Sequence, residues 1–341
     1  MRRVRLPNLL VAILLCAAVN CVDLPPSRGN PDGCPGAATT AVSTTPSEET
    51  ASQEIAVRGM NDLMDGNFDA ASQAFQQIQK TDPESPLGYL LAADLAWWKI
   101  YLTEANLIDP DVFEALSEAV TPFDADFRRW DDVAIRKAET RIQAHQDEAR
   151  SCFYEGLAYG LRARLEALRD HALGTARAGK KLRNLSLAAL KLDPSLNDAW
   201  FGVGLYNYFV DTLPTYVKML RFLILLPGGD RLVGLRQMQQ AMEKGHLVNA
   251  EARFHLAKNY SRPIDRQYAR SIELLGQMER QYPHNPLWKL LVGSVELRLG
   301  EVKQGEALYR QVVDETAHPQ SEVWKPLHQQ AQRALAKRSG Q

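Results

Sequence analysis

Apolar residues recur three and four positions apart along nearly all of the chain from about Ser52 onward, the spacing that lines one face of an α-helix. Ile55 to Pro83 reads as two amphipathic helices divided by the turn Asp65-Gly66-Asn67, the second stopping before Pro83. Pro86 to Thr103 reads as one helix carrying Trp97 and Trp98, and Phe123 to Asp170 as long charged helices meeting near Gln146. Ala250 to Tyr282 gives a pair broken at Pro263, with Asp265 as the cap of the next helix. Leu287 to Val313 gives another pair turning at Gly300, and Ser321 to Lys337 a final capping helix. Alternating apolar runs bounded by turns, the mark of strands, are absent from the pattern, so the fold class expected is all-α.

Asp198 to Gly245 departs from this regularity. It begins as the first helix of a hairpin through Gly202, then inserts Leu213 to Gly229, closes on Pro-Gly-Gly-Asp and starts a new helix at Asp230. Ten of the 17 residues of the insert are large and apolar. It is too short to span a bilayer, which needs about 20 apolar residues, and it carries Lys218 and Arg221. Two uses remain. As an extra helix in the core, each large side chain contributes about 1.5 to 3 kcal/mol. As an amphipathic helix it docks on a membrane or a partner, with Lys218, Arg221, Phe222 and Leu223 as the contacts. Apolar stripes in helical arrays are usually core, which favours burial.

The spacing of small and aromatic residues points to internal repetition. Gly59 lies where two helices must approach closely, Ala71 and Phe75 take the small and aromatic places of the second helix, and Pro83 closes it. This resembles a tetratricopeptide repeat, a helix-turn-helix unit of 34 residues. Pro194 closes a helix as Pro83 does, 111 residues on and about three repeat lengths away, and Gly202 then takes the small place. Gly293 and Tyr309 are in register for one more copy. The resemblance implies a helical-hairpin solenoid over residues 51–341, with an apolar insert at 213–229 and a capping helix at the end. A local likeness over about 204–235, carried by Gly204-Leu205-Tyr206, Leu213-Pro214, Lys218, Gly229-Asp230-Arg231 and Gly234-Leu235, is similar to the eukaryotic tetratricopeptide family of inclusion-body clearance proteins. It implies a shared fold more than a shared role. The chain as a whole resembles exported repeat proteins of Gram-negative bacteria.

The first 20 residues change the picture of where the protein works. Arg2, Arg3 and Arg5 precede an apolar run from Leu9 to Val19, and small residues follow, the order of a secretion signal. That run is 11 residues, too short for a membrane span. Ala17 and Ala18 suit an ordinary signal peptidase, while Cys21 is a candidate for lipidation. The residues before Cys21 resemble a lipobox, from which Asn20 departs. The expected location is the periplasm or the periplasmic face of the outer membrane, with or without a lipid anchor. Residues 21–50, rich in Pro, Gly, Ser and Thr, cannot offset their ordering entropy by burial and read as a flexible linker. Cys34 can pair with Cys21 in an oxidising compartment unless Cys21 is lipidated.

Charge and chemistry narrow the function. Forty basic and 41 acidic residues give a net charge of -1, which offers no concentrated basic face for nucleic acid. The seven histidines are dispersed, and none has the spacing of a metal site. Glu251 and His255 share a helix face and read as a surface ion pair. Gly202-Val203-Gly204, Gly156 and Gly160 read as helix packing, Cys152 as a buried core residue, and Pro227-Gly228-Gly229-Asp230 as a turn with Asp230 as N-cap. No linear catalytic motif and no cofactor loop stands out, so no catalytic, cofactor or metal residues are assigned. The expected function is a non-enzymatic exported scaffold or adaptor in the cell envelope that binds a protein or peptide in the concave face of its curved helical array. A membrane-docking module acting through 213–226 and an accessory component of an envelope enzyme system are the alternatives.

Overall fold

The computed structural model describes residues 46–109, 120–213, 218, 226–317 and 322–339. Among them the chain is all-α. Thirteen helices run in order: α1 Pro46–Met64, α2 Phe68–Thr81, α3 Leu87–Glu104, α4 Asp124–Gln143, α5 Glu148–Leu168, α6 Ala172–Leu192, α7 Ala199–Thr212, α8 Arg231–Lys244, α9 Asn249–Tyr260, α10 Tyr268–Gln281, α11 Pro286–Leu299, α12 Val302–Glu315 and α13 Lys325–Ser339. A 3₁₀ turn, Glu322–Trp324, leads into α13. None of the described helices is long and apolar enough to cross a membrane.

Each helix packs on its successor from α1 to α13, and where the connection is only a few residues the neighbours run antiparallel. The outer helices are one-sided: α2 buries Phe68, Ala71, Ala74, Phe75 and Ile78, and α12 buries Gly305, Tyr309 and Val312. By contrast α3 and α11 bury residues on every side, because each has neighbours all round it. Besides its chain neighbours, α3 touches α1, α5 and α13.

The joints between hairpins repeat one geometry. Asp82, Asp193 and Tyr282 close α2, α6 and α10 with φ near -135°, -135° and -131°, and each donates its N–H to the carbonyl four residues back. A proline follows in each case, and its ring excludes the helical conformation from the residue before it. Two residues after Pro83 and Pro283, Ser85 and Asn285 accept the Leu87 and Leu287 amides at 3.3 and 3.0 Å and start the next helix. Within the first and last hairpins the turns use Gly66 and Gly300 at φ +83° and +102°, a region that favours glycine.

The array curls until its beginning meets its end. Tyr282 Oη donates to Asn61 Oδ1 at 2.8 Å, Asn285 Nδ2 and Trp288 Nε1 donate to the Met64 carbonyl at 2.8 and 3.0 Å, and the His284 amide donates to Asp65 at 3.0 Å. Phe68 stacks on Trp324 at 5.3 Å. At the centre of this wrap Trp98, Tyr101, Phe254 and Trp288 pack ring on ring, 5.1 to 6.1 Å apart.

Three details differ from the sequence pattern. Helix α1 begins at Pro46, so it reaches back into the stretch expected to be linker. Asp265 is not a helix cap. Its side chain is buried and occupied by Tyr208 and Arg231, and Gln267 precedes α10 instead. The final capping helix is reached through a 3₁₀ turn, which points Val323 and Trp324 inward.

Candidate functional site

The inner face of the wrap carries a cluster of charged groups. Asp94 comes from α3, Arg164 from α5, and Glu251, His255 and Lys258 from successive turns of α9. Arg164 forms an ion pair with Glu251, whose residue is 4% exposed. Lys258 donates to Tyr101 Oη at 2.7 Å and lies 5.0 Å above the same ring. Asp94 Oδ1 is buried with no hydrogen-bond partner. Burial, reinforced by Glu251 and opposed by Arg164, raises the Asp94 carboxyl well above the usual range and so disfavours its anion. Burial, with Arg164 and Lys258 nearby, lowers His255 well below its ordinary value and keeps it neutral between Phe201 and Phe254, at 5.5 and 5.2 Å.

Asp94, Arg164 and Glu251 line a cavity of about 20 Å³ with Met60, Leu90 and Leu161. That is room for about one water, far below the roughly 300 Å³ or more of a small-molecule site. The cluster therefore holds helices together where a larger cavity would hold a substrate. Glu251 and His255 are thus not the surface ion pair that their spacing implies: Glu251 is buried, His255 is partly buried, and Glu251 pairs with Arg164, 87 residues away. A lone acid in the otherwise apolar run LGYLLAADLAWW was the available signal for Asp94.

A second region lies where the hairpin turns collect. Arg231, opening α8, pairs with Asp265 in the α9–α10 turn, and Arg298 near the end of α11 donates to the Ser261 carbonyl of that turn at 3.3 Å. These contacts tie the α7–α8, α9–α10 and α11–α12 connections into one edge. Large aliphatic side chains stand out along it: Leu232 and Ile264 are each 53% exposed, and Leu299 and Val302 are also exposed.

No protein-family model matches this chain, and no curated protein matches it. Its residues must therefore speak for themselves.

The residues singled out for their spacing fall into two groups. Gly59 and Gly293 sit against Phe75 and Tyr309, where an added Cβ would lie 2.6 and 2.9 Å from the ring carbons. Ala71 is fully buried, and Pro83 and Pro194 follow the helix-closing residues. Gly202 abuts Ser186 and Leu182 of α6, and Gly156 and Gly160 face the same helix, so these glycines serve helix contact. Gly204 and Gly234 let the backbones of α7 and α8 touch: a Cβ on either would come within 2.8 Å of the other's carbonyl. Cys152 is buried, and burial with Glu155 and Glu148 nearby pushes its thiol up to about 11, an unreactive state. Asp230 accepts the Val233 amide at 2.9 Å as an N-cap. Lys218 pairs with Asp211 at 3.1 Å. Cys21, Arg221, Phe222 and Leu223 lie outside the described residues, as does most of the insert. Among the described residues no group of His, Cys, Asp and Glu is arranged to hold a metal.

Proposed function

We propose that this chain is an exported, tetratricopeptide-like scaffold, a non-enzymatic adaptor that binds a protein or peptide in the cell envelope. The repeat reading is supported by the recurrence of one joint: a pre-proline cap after α2, α6 and α10, and a glycine against an aromatic ring in both the first and the last hairpin. The partner surface is the turn edge. Among the described residues the inward faces of α3, α9 and α11 fill one another, with Trp98, Phe254 and Trp288 at their centre, which favours this edge over the concave face expected.

One observation carries the binding role. Leu232, Ile264, Leu299 and Val302 expose aliphatic surface on three turns that Arg231–Asp265 and Arg298–Ser261 lock together. A row of exposed apolar side chains bordered by polar contacts is the makeup of a protein-binding patch. The test is affinity capture from envelope extract with the parent chain and with Leu232→Asp/Ile264→Asp. A partner held by the parent and lost by the double variant, at unchanged melting temperature, supports the reading. A partner retained by both rules out the edge. Export is tested by mass spectrometry of the mature N-terminus, which distinguishes a chain that begins at a lipidated Cys21 from one with an unmodified cut elsewhere.

A further inference from the structure

We infer that the partner of the turn edge is an acidic amphipathic peptide segment, which rests on the reading of that edge as the partner surface. Each of its three turns sets an exposed cation beside exposed aliphatic carbon. Arg236 lies one helical turn beyond Leu232 on the same face of α8, Arg266 two residues beyond Ile264, and Lys303 next to Val302. Among the described residues none of these three cations has a carboxylate partner.

The acids nearby are mostly engaged. Asp265 accepts Tyr208 Oη at 2.6 Å and pairs with Arg231, Asp230 accepts the Val233 amide at 2.9 Å, and Asp109 lies 4.0 Å from Arg298. Glu301 alone among the acids of the three turns is left without a bond, so the edge is basic on balance. Arg266 stands at φ +51°, in the left-handed region that Gly300 takes in the neighbouring turn. A glycine would hold that backbone with less strain, and the side chain returns only one bond to its own chain, Nε to the Pro263 carbonyl at 3.0 Å. A neutral apolar segment would leave Arg236, Arg266 and Lys303 without counter-charge. A uniform polyanion would leave Leu232, Ile264, Leu299 and Val302 without apolar contact, and a bilayer of acidic headgroups would meet the exposed Asp230 and Glu301 as well. A segment with Asp or Glu set among aliphatic or aromatic side chains matches both the apolar and the basic groups.

The test is selection of a random peptide display library on the full chain and on Leu232→Asp/Ile264→Asp. Sequences enriched by the parent and lost with the double variant should carry Asp or Glu among apolar residues, and their binding should weaken with added salt. An exposed ion pair is worth about threefold in affinity, so Arg266→Gln/Lys303→Gln should weaken a selected peptide about tenfold at unchanged melting temperature. Arg266→Gly should weaken the same peptide while raising the melting temperature, which separates a group kept for binding from one kept for the fold. Edge-dependent sequences with no acidic bias, or binding unmoved by the neutral double variant, overturn the proposal and leave the edge a partner surface. No edge-dependent sequence removes both. Flotation of the full chain with phosphatidylglycerol vesicles, or a dimer of the chain, lost in Leu232→Asp/Ile264→Asp assigns the edge to lipid or to a second copy and overturns the proposal.

Discussion

Two carboxyl groups, Asp94 and Glu251, face a single guanidinium in the interior, and their fates differ. Glu251 is ion-paired with Arg164, while the Asp94 carboxyl is raised well above the usual range because burial and its negative neighbour both disfavour the anion. Asp94→Asn places a neutral group of the same shape where charge is disfavoured and should change stability by less than about 1 kcal/mol. Arg164→Met leaves Glu251 buried and uncompensated and should cost about 3 to 5 kcal/mol. Chemical denaturation of the two variants checks the contrast; equal losses would mean that Asp94 is charged. Glu155 offers a pH test. Burial, with Glu139 nearby and Lys181 opposing, moves its carboxyl from the ordinary value of 4.5 up to about 7. A pKa raised on folding means that the stability it contributes is present in full at acid pH and is lost as pH rises through about 7. Glu155→Gln cannot ionise, so it should melt higher than the parent near pH 8. The two should converge as pH falls toward 4.5, the unfolded value. Parallel melting curves across that window would show that Glu155 does not titrate there.

At the scale of the element, glycines decide which helices touch. Gly204→Ala would drive a Cβ to 2.8 Å from both the Gly234 carbonyl and Met238, and backbone cannot yield as a flexible side chain does. A loss of about 1 to 3 kcal/mol is expected, the ordinary cost of overpacking. Gly179→Ala in α6 meets only the Tyr206 ring, at 3.9 Å, so it should gain about 0.5 to 1 kcal/mol from helix propensity. Melting temperatures moving in opposite directions would bear this out. The same glycines show what the sequence makes legible. Helix positions, the Gly66 and Gly300 turns, the Asp230 cap and the pre-proline stops could all be read, because each is fixed by residues within a few positions of one another. Asp265 misled because Asp before a helix normally caps it, and here Tyr208 and Arg231, 57 and 34 residues away, claim its carboxylate instead. Glu251 misled for the same reason: a spacing of four describes one helix, while its partner lies on another.

The whole molecule adds a constraint that no single hairpin contains. In an open array each unit feels only its neighbours, and damage to one stays local. Here Trp288 of α11 is fully buried against Trp98 and Phe254 and donates to the Met64 carbonyl at the end of α1, 224 residues away. Contacts at that separation leave no trace in local periodicity, so the closure could not be read from the sequence. They also make the first hairpin depend on the last. Trp288→Ala should cost about 3 to 5 kcal/mol, the usual cost of removing a buried tryptophan. Its signature is where protection is lost. Hydrogen exchange should accelerate in α1 and α2 as well as in α10 to α12, because Met64, Asn61 and Asp65 lose the surface on which they close. Faster exchange confined to α10 to α12 would mean that the first hairpin stands without the last, and that the chain behaves as an open repeat array.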